Sequence, residues 1–220
     1  MLEDILKTAL LNAINNSKPG HLPAWTAAPE VKTEDIGDKI FGIRDLRGAE
    51  GSIKCPPEEA EATYFNGGDG HRYVLRFIRY EDFINQFRTY KADGKIDGDW
   101  TKGWSRPDYM AYDLTDEKRC MIIHELSGGE IRNKRKDGRT QLLKTVLALD
   151  KEPAIKSFLS QFNGRCYCYL SAKGSVDVTP DNMADSFMAI YDKVPDPVPI
   201  SNSSITKRGF QAFETRVVKL

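Results

Sequence analysis

The sequence predicts an α/β protein with a central mixed sheet flanked by helices. Residues 106–126 (RPDYMAYDLTDEKRCMIIHEL) read as two apolar strands joined by a short turn at Asp116-Glu117-Lys118, a β-hairpin. Helical spacing follows over 140–149 and 153–162, and residues 165–173 (RCYCYLSAK) return to a strand of the buried type. The two helices are expected to cover one face of the sheet and the N-terminal elements the other.

Taken in order, residues 2–14 place Leu2, Ile5, Leu6, Ala9, Leu10, Ala13 and Ile14 on one helical stripe. Pro19-Gly20 ends that helix, whose stripe suits docking on the core or on a second subunit. Over 21–61 the pattern fades among prolines and glycines, leaving Ile40-Phe41 and Ile43 as short strand candidates. Asn66-Gly67-Gly68-Asp69-Gly70 lacks the lysine and hydroxyl of a phosphate loop and is read as a plain hairpin loop. Residues 71–78 read as a strand with Tyr73, Leu75 and Phe77 on one side. Residues 80–90 read as a helix with Phe83, Ile84 and Phe87 inward, and 91–103 as a polar connector whose acids are out of register with a calcium loop. The basic run 132–139 (RNKRKDGR) is read as a loop leading into the helix that opens at Thr140. In the helix at 140–149, Leu142, Leu143, Val146, Leu147 and Leu149 are available for burial, and Pro153 suits the first turn of the next helix. Residues 180–191 are expected to be helical, Pro195, Pro197 and Pro199 to mark an extended segment, and 215–220 to end in a strand. The chain is read as one domain, residues 1–220, with an N-terminal helix and irregular region at 1–70, an α/β core at 71–175 and a C-terminal helix and tail at 176–220.

Apolar residues make up 40% of the 220 and charged residues 29%, ordinary for a soluble globular chain. Lys plus Arg equals Asp plus Glu at 32 each, so the chain lacks the overall basic excess of many nucleic-acid binders and is basic only locally. Cys55, Cys120, Cys166 and Cys168 form no C-x-x-C pair and have no His at zinc spacing, which predicts reduced, packed thiols. Cys166 and Cys168 alternate along one strand and should share a buried face. MLEDILKTALLNAINN has neither the basic start nor the apolar stretch of a signal peptide. No run approaches the roughly 18 apolar residues of a membrane span. A soluble, cytoplasmic protein is therefore expected.

The chemistry centres on one acid per strand of the predicted hairpin: Asp108 on the first, Glu125 near the end of the second. Such a hairpin can bring two carboxylates together, the usual cradle for a hard divalent cation. Asp113 lies an odd number of positions from Asp108, so regular alternation sends it to the opposite face. His124 points away from Glu125 for the same reason. Trp100 and Trp104 lie close to the acids in sequence and serve either as a stacking platform for a base or as core anchors.

This stretch resembles the PD-(D/E)XK nuclease-like superfamily. The matching residues are Pro107-Asp108, the turn at Asp116-Glu117-Lys118, MIIHEL ending in Glu125, the pair Gly128-Gly129, and a helix opening with Gln141-Leu142 and Thr145. About a third of the chain, residues 104–173, is covered. The resemblance implies a restriction-endonuclease-like core and hydrolysis of nucleic-acid phosphodiesters with Mg²⁺, for which Mn²⁺ would substitute. It implies Asp108 and Glu125 as metal ligands, and Arg132, Lys134, Arg135, Lys136 and Gln141 as nucleic-acid contacts. The departure is at Ser127, two positions after Glu125, where the family carries lysine. Either another lysine supplies the cation, Lys144 first and Lys134 or Lys136 from the preceding run, or the scaffold has become a non-catalytic binding or assembly module. A homo-oligomer is compatible with either.

Overall fold

The computed structural model describes residues 1–127, 131–172, 191–192 and 194–220. Helix α1 (Leu2–Ser17) is followed by strands β1 (Thr33–Ile36), β2 (Ile40–Ile43), β3 (Lys54–Cys55), β4 (Ala62–Phe65) and β5 (Leu75–Arg79). Helix α2 (Tyr80–Asn85) leads into β6 (Arg88–Tyr90), β7 (Ile96–Asp99), β8 (Tyr109–Asp113) and β9 (Met121–Ser127). Helices α3 (Ile131–Leu149) and α4 (Pro153–Ser160) precede β10 (Cys166–Ala172), β11 (Val198–Pro199), β12 (Phe210–Glu214) and β13 (Val217–Lys219). Seven strands form one mixed sheet in the order β1-β5-β8-β9-β10-β12-β11. β5, β8 and β9 run as an antiparallel meander. β10 lies parallel to β9, which needs the long crossover that α3 and α4 provide. The expected α/β class, a mixed sheet flanked by helices, is the class observed.

β8 and β9 are buried on both faces, and their two-residue alternation sorts the side chains between two cores. Met110, Tyr112, Met121 and Ile123 pack with Leu6 and Leu10 of α1, Leu142 and Val146 of α3 and Phe158 of α4. Cys166 and Cys168 join this core, and all four cysteines are free and buried. Tyr109, Ala111, Ile122 and Leu126 face the other way, against a four-stranded sheet ordered β13-β4-β2-β3. The N-terminal strands thus take the face expected of the N-terminal elements, whereas α1 packs on α4 and shares the helical face.

One polar chain crosses between the sheets. The Tyr64 hydroxyl of β4 lies 2.6 Å from His124 Nδ1, and His124 Nε2 lies 2.7 Å from Ser171 Oγ of β10. Burial pushes the His124 pKa down to about 3, so the ring is neutral and acts as a packed, hydrogen-bonded connector.

Several elements differ from the sequence reading. Helix α2 stops at Asn85, and the residues read as its second half, with part of the predicted polar connector, pair as the hairpin β6–β7. The run at 66–70 is no hairpin loop: it joins β4 of the small sheet to β5 of the large one, and Gly67 and Gly68 donate to the Leu220 carbonyl. The basic run is helical, because α3 opens at Ile131 rather than at Thr140. Gly138 sits inside α3 for a packing reason: a Cβ there would lie 2.5 Å from Leu170 Cδ1 and 3.3 Å from Glu125 Cγ. The expected helix at 180–191 lies almost wholly outside the described residues.

Two substitutions test this account by thermal melting. Tyr64→Phe removes a partner of His124 and leaves a buried ring nitrogen unsatisfied, so stability should fall by about 1–3 kcal/mol. Gly138→Val drives a branched side chain into Leu170 and Glu125 and should cost roughly 1–3 kcal/mol, several degrees in Tm for a chain of this length.

Candidate functional site

Asp108 occupies the bend immediately before β8, behind Pro107, and its side chain is buried. The β8–β9 ladder pairs Tyr109 with His124, so one further step sets Asp108 across from Glu125. Leu126 N donates to Asp108 Oδ2 at 2.5 Å, tying the carboxylate to the end of β9. The Asp108 carbonyl accepts from Tyr80 N at 3.1 Å and Glu81 N at 3.4 Å, which fixes the first turn of α2 beside it. The loop after β2 is pinned by the Tyr109 hydroxyl, which donates to the Arg44 carbonyl at 2.6 Å. In that loop Arg47 N donates to Asp45 Oδ1 at 2.7 Å.

Three carboxylates from separate stretches of chain meet as a result. Asp45, Glu81 and Asp108 each offer an oxygen, and these oxygens lie within 4.8 Å of one another. Burial holds the Asp108 pKa well above the ordinary carboxylate value, against the pull of the Leu126 N–H and with the charges of Asp45, Glu81 and Glu61 adding to the rise. Burial and the neighbouring Asp45 likewise raise Glu81. Hard oxygen donors drawn together at this electrostatic cost form a donor set suited to a divalent cation.

Glu125 stands outside the triad. Its Oε1 accepts from Gln141 Nε2 at 2.8 Å, and Gln141 Oε1 in turn accepts from Arg106 N at 3.3 Å. Gln141 therefore clamps the end of β9 to the segment that enters β8. The structure brings Asp108, Glu125 and Gln141 to one end of the hairpin, but not Lys144. Lys144 is exposed in a groove of about 420 Å³ with Trp104 and Lys151, a groove whose walls include neither acid. Arg135 pairs with Glu214 at 3.5 Å, and Lys136 is exposed on α3. The side chains of Ser127, Arg132 and Lys134 lie outside the described residues.

Of the other residues weighed from sequence, Trp100 is a core anchor. Its ring packs edge-on against Trp25, and its Nε1 donates to the Pro23 carbonyl at 2.7 Å. Asp113 organises the hairpin turn, accepting from Thr115 N and Arg119 N.

Asp45 and Glu81 line a polar cleft of about 830 Å³ with Lys32, Arg47, Arg88 and Tyr90, and Asp108 lines a small pocket beside it with Asp45, Arg79 and Glu81. Among known proteins, no family model, curated protein or solved structure matches this chain. Sequence reasoning missed Asp45 and Glu81. Asp45 falls in the stretch without periodicity, and Glu81 reads as an ordinary acid in the first turn of a helix. Neither carries a local signal of convergence on Asp108.

The raised Asp108 pKa sets a pH dependence. Above its ordinary value of 3.8 the unfolded chain has released a proton that the folded chain still holds, so this group's contribution to stability falls as pH rises through the folded pKa. Asp108→Asn should therefore melt above the parent near neutral pH, with the two converging near about pH 4. The gap should be roughly 2–4 °C per kcal/mol recovered. A parent that is the more stable of the two at neutral pH would contradict the electrostatic account.

Proposed function

We propose that this protein is a Mg²⁺-dependent nuclease, with Mn²⁺ as an effective substitute, hydrolysing nucleic-acid phosphodiesters at the Asp45–Glu81–Asp108 centre. The observation that carries the reading is the convergence of three carboxylates on a buried Asp108, beside a cleft that also holds Lys32, Arg47 and Arg88. The resemblance to PD-(D/E)XK nucleases supports it, since Asp108 and Glu125 are the acids it names. The order β8-β9-α3-α4-β10 is also the strand-strand-helix-helix-strand order expected of a restriction-endonuclease-like core.

A divalent cation held there supplies Lewis-acid polarisation of a phosphoryl oxygen and lowers the pKa of bound water. The chain's own part is to hold the donors and to neutralise the substrate. Asp108, biased toward its protonated form by burial, gives up that proton on loading, so metal affinity rises with pH. Gln141 holds Glu125 at the hairpin end as the further acid ligand that the resemblance names. Lys32, Arg47 and Arg88, paired with Glu50, Asp45 and Asp99, would share their charge with phosphates along the cleft, and the resemblance adds Arg132, Lys134, Arg135 and Lys136 as contacts. Arg79 lines the same small pocket as Asp108, with its guanidinium paired to Asp82 and donating to the Ala49 carbonyl at 2.7 Å, and is a better-placed candidate than the exposed Lys144 for the charge-screening task of the missing lysine. The buried, unpaired cysteines fit a reducing compartment, and we place the protein in the cytoplasm. No helix among the described residues is long and apolar enough to cross a membrane.

Ser127 at the lysine position favours a second reading, a non-catalytic binding or assembly module. Calorimetric titration with Mn²⁺ and an assay on mixed DNA and RNA substrates separate the two. On the nuclease reading the chain binds Mn²⁺ and gains about 2.7 kcal/mol of stability at a hundredfold excess over Kd. Asp108→Ala abolishes binding, Glu81→Gln, Asp45→Asn and Glu125→Ala each weaken it, and cleavage falls in step. Absence of cation affinity and of cleavage, with a defined oligomer or protein partner, would establish the module instead.

A further inference from the structure

The cleft beside the acids carries a feature that metal binding does not use. Hairpin β6–β7 forms one of its walls, and Arg88 and Tyr90 of β6 line it together with Asp45 and Glu81. The hairpin's root is fixed. Trp100 N donates to the Phe87 carbonyl at 3.2 Å, the Trp100 ring is buried, and Arg88 bonds to Asp99 at 3.1 Å and to Asn85 at 3.1 Å. Beyond that root, Tyr90 is 55% exposed and its cross-strand partner Ile96 is 48% exposed, both among the few large apolar side chains left in water. Cross-strand partners share a face, so the two form one small platform.

We propose that Tyr90 is the stacking residue for an unpaired nucleotide, and that the substrate of the site is single-stranded nucleic acid. The inference rests on the nuclease reading above. An aromatic face in water gains by covering a base, and only an unstacked base has a face to give, because a duplex already covers both sides of each base. The hairpin's own lysines are taken up locally, Lys95 with Asp93 at 2.9 Å and Lys91 with Asp97 at 3.9 Å. Arg88, Arg47 and Lys32 on the cleft walls are ion-paired with Asp99, Asp45 and Glu50, so phosphates on either side of the stacked base would have to share these cations with their present partners. A cleft of about 830 Å³ has room for a short strand segment whose scissile phosphate lies at the acids while a neighbouring base lies on Tyr90.

Fluorescence anisotropy tests this with labelled oligonucleotides of about twelve residues, within the site sizes of single-strand binders. The probes are a DNA strand, the RNA strand of the same sequence and the DNA duplex, titrated with full-length protein carrying Asp108→Asn to prevent turnover. Both single strands should bind more tightly than the duplex. Adding Tyr90→Ala should weaken single-strand binding roughly 5- to 150-fold, the range for loss of one stacked base. Duplex binding should stay unchanged, and Tyr90→Phe, which keeps the ring, should restore single-strand affinity. An unchanged melting temperature for Tyr90→Ala confirms that the fold is intact. Equal affinity for duplex and single strands, or a Tyr90→Ala protein that binds single strands like its parent, overturns the assignment. If Mn²⁺ binding and cleavage persist alongside either result, only the stacking role falls. If no oligonucleotide binds and no metal binds, both readings fall together.

Discussion

Withdrawing the Asp108 carboxylate from water is the constraint on which the site depends. The group is buried at the point where β8 begins, and one backbone N–H from Leu126 meets it while three nearby acids oppose its charge. A single hydrogen bond to a carboxylate is worth a few kcal/mol at most. The cost of burying the charge among like charges is of similar or larger size. The fold therefore holds an unfavourable arrangement in place with contacts made elsewhere, a pattern met at functional sites more often than in packing cores.

Those contacts can be traced. Two cores grip β8 and β9 from opposite sides, so the hairpin cannot roll to bring Asp108 into solvent without exposing Met110 and Ile123 on one face or Tyr109 and Ile122 on the other. The small sheet then delivers Asp45 through the loop after β2, fastened by the Tyr109 hydroxyl to the Arg44 carbonyl. Helix α2 delivers Glu81 because its first-turn N–H groups bond to the Asp108 carbonyl itself. The same residue thus supplies one carboxylate of the triad through its side chain and positions another through its main chain. His124 contributes from behind, linking β4 to β9 and β10, so that the sheet carrying Asp45 and the sheet carrying Asp108 keep a fixed spacing.

How much of this could be read from sequence follows from what periodicity encodes. The stripe of α1, the alternation in β8, β9 and β10 and the Pro153 start of α4 are local patterns, and each element appears where its pattern stands. Helix α3 was legible only from Thr140 because the basic residues before it show no apolar stripe and Gly138 looks like a breaker. Its glycine is explained by Leu170 and Glu125, residues distant in sequence. Hairpin β6–β7 was hidden by Phe83, Ile84 and Phe87, whose spacing is helical although only the first two belong to α2. Asp108 and Glu125 were legible because they flank a hairpin. Asp45 and Glu81 were not, since their approach depends on a second sheet and a main-chain bond that no local pattern announces.

The zero net charge of the chain says little about the charge at any one place on its surface. The densest basic run does not simply face solvent: Arg135 and Arg139 both pair with Glu214, with Arg139 at 2.6 Å, and so bind α3 to β12. Part of that charge is structural. The cations of the cleft come from three unrelated places, Lys32 before β1, Arg47 after β2 and Arg88 on β6, and each is ion-paired in turn, with Glu50, Asp45 and Asp99. Steering of a phosphate backbone depends on the field at the groove rather than on the total charge, and salt screens contributions from charges more than about 10 Å away. A few dispersed cations converging beside an acidic centre therefore matter more than the arithmetic of the whole sequence.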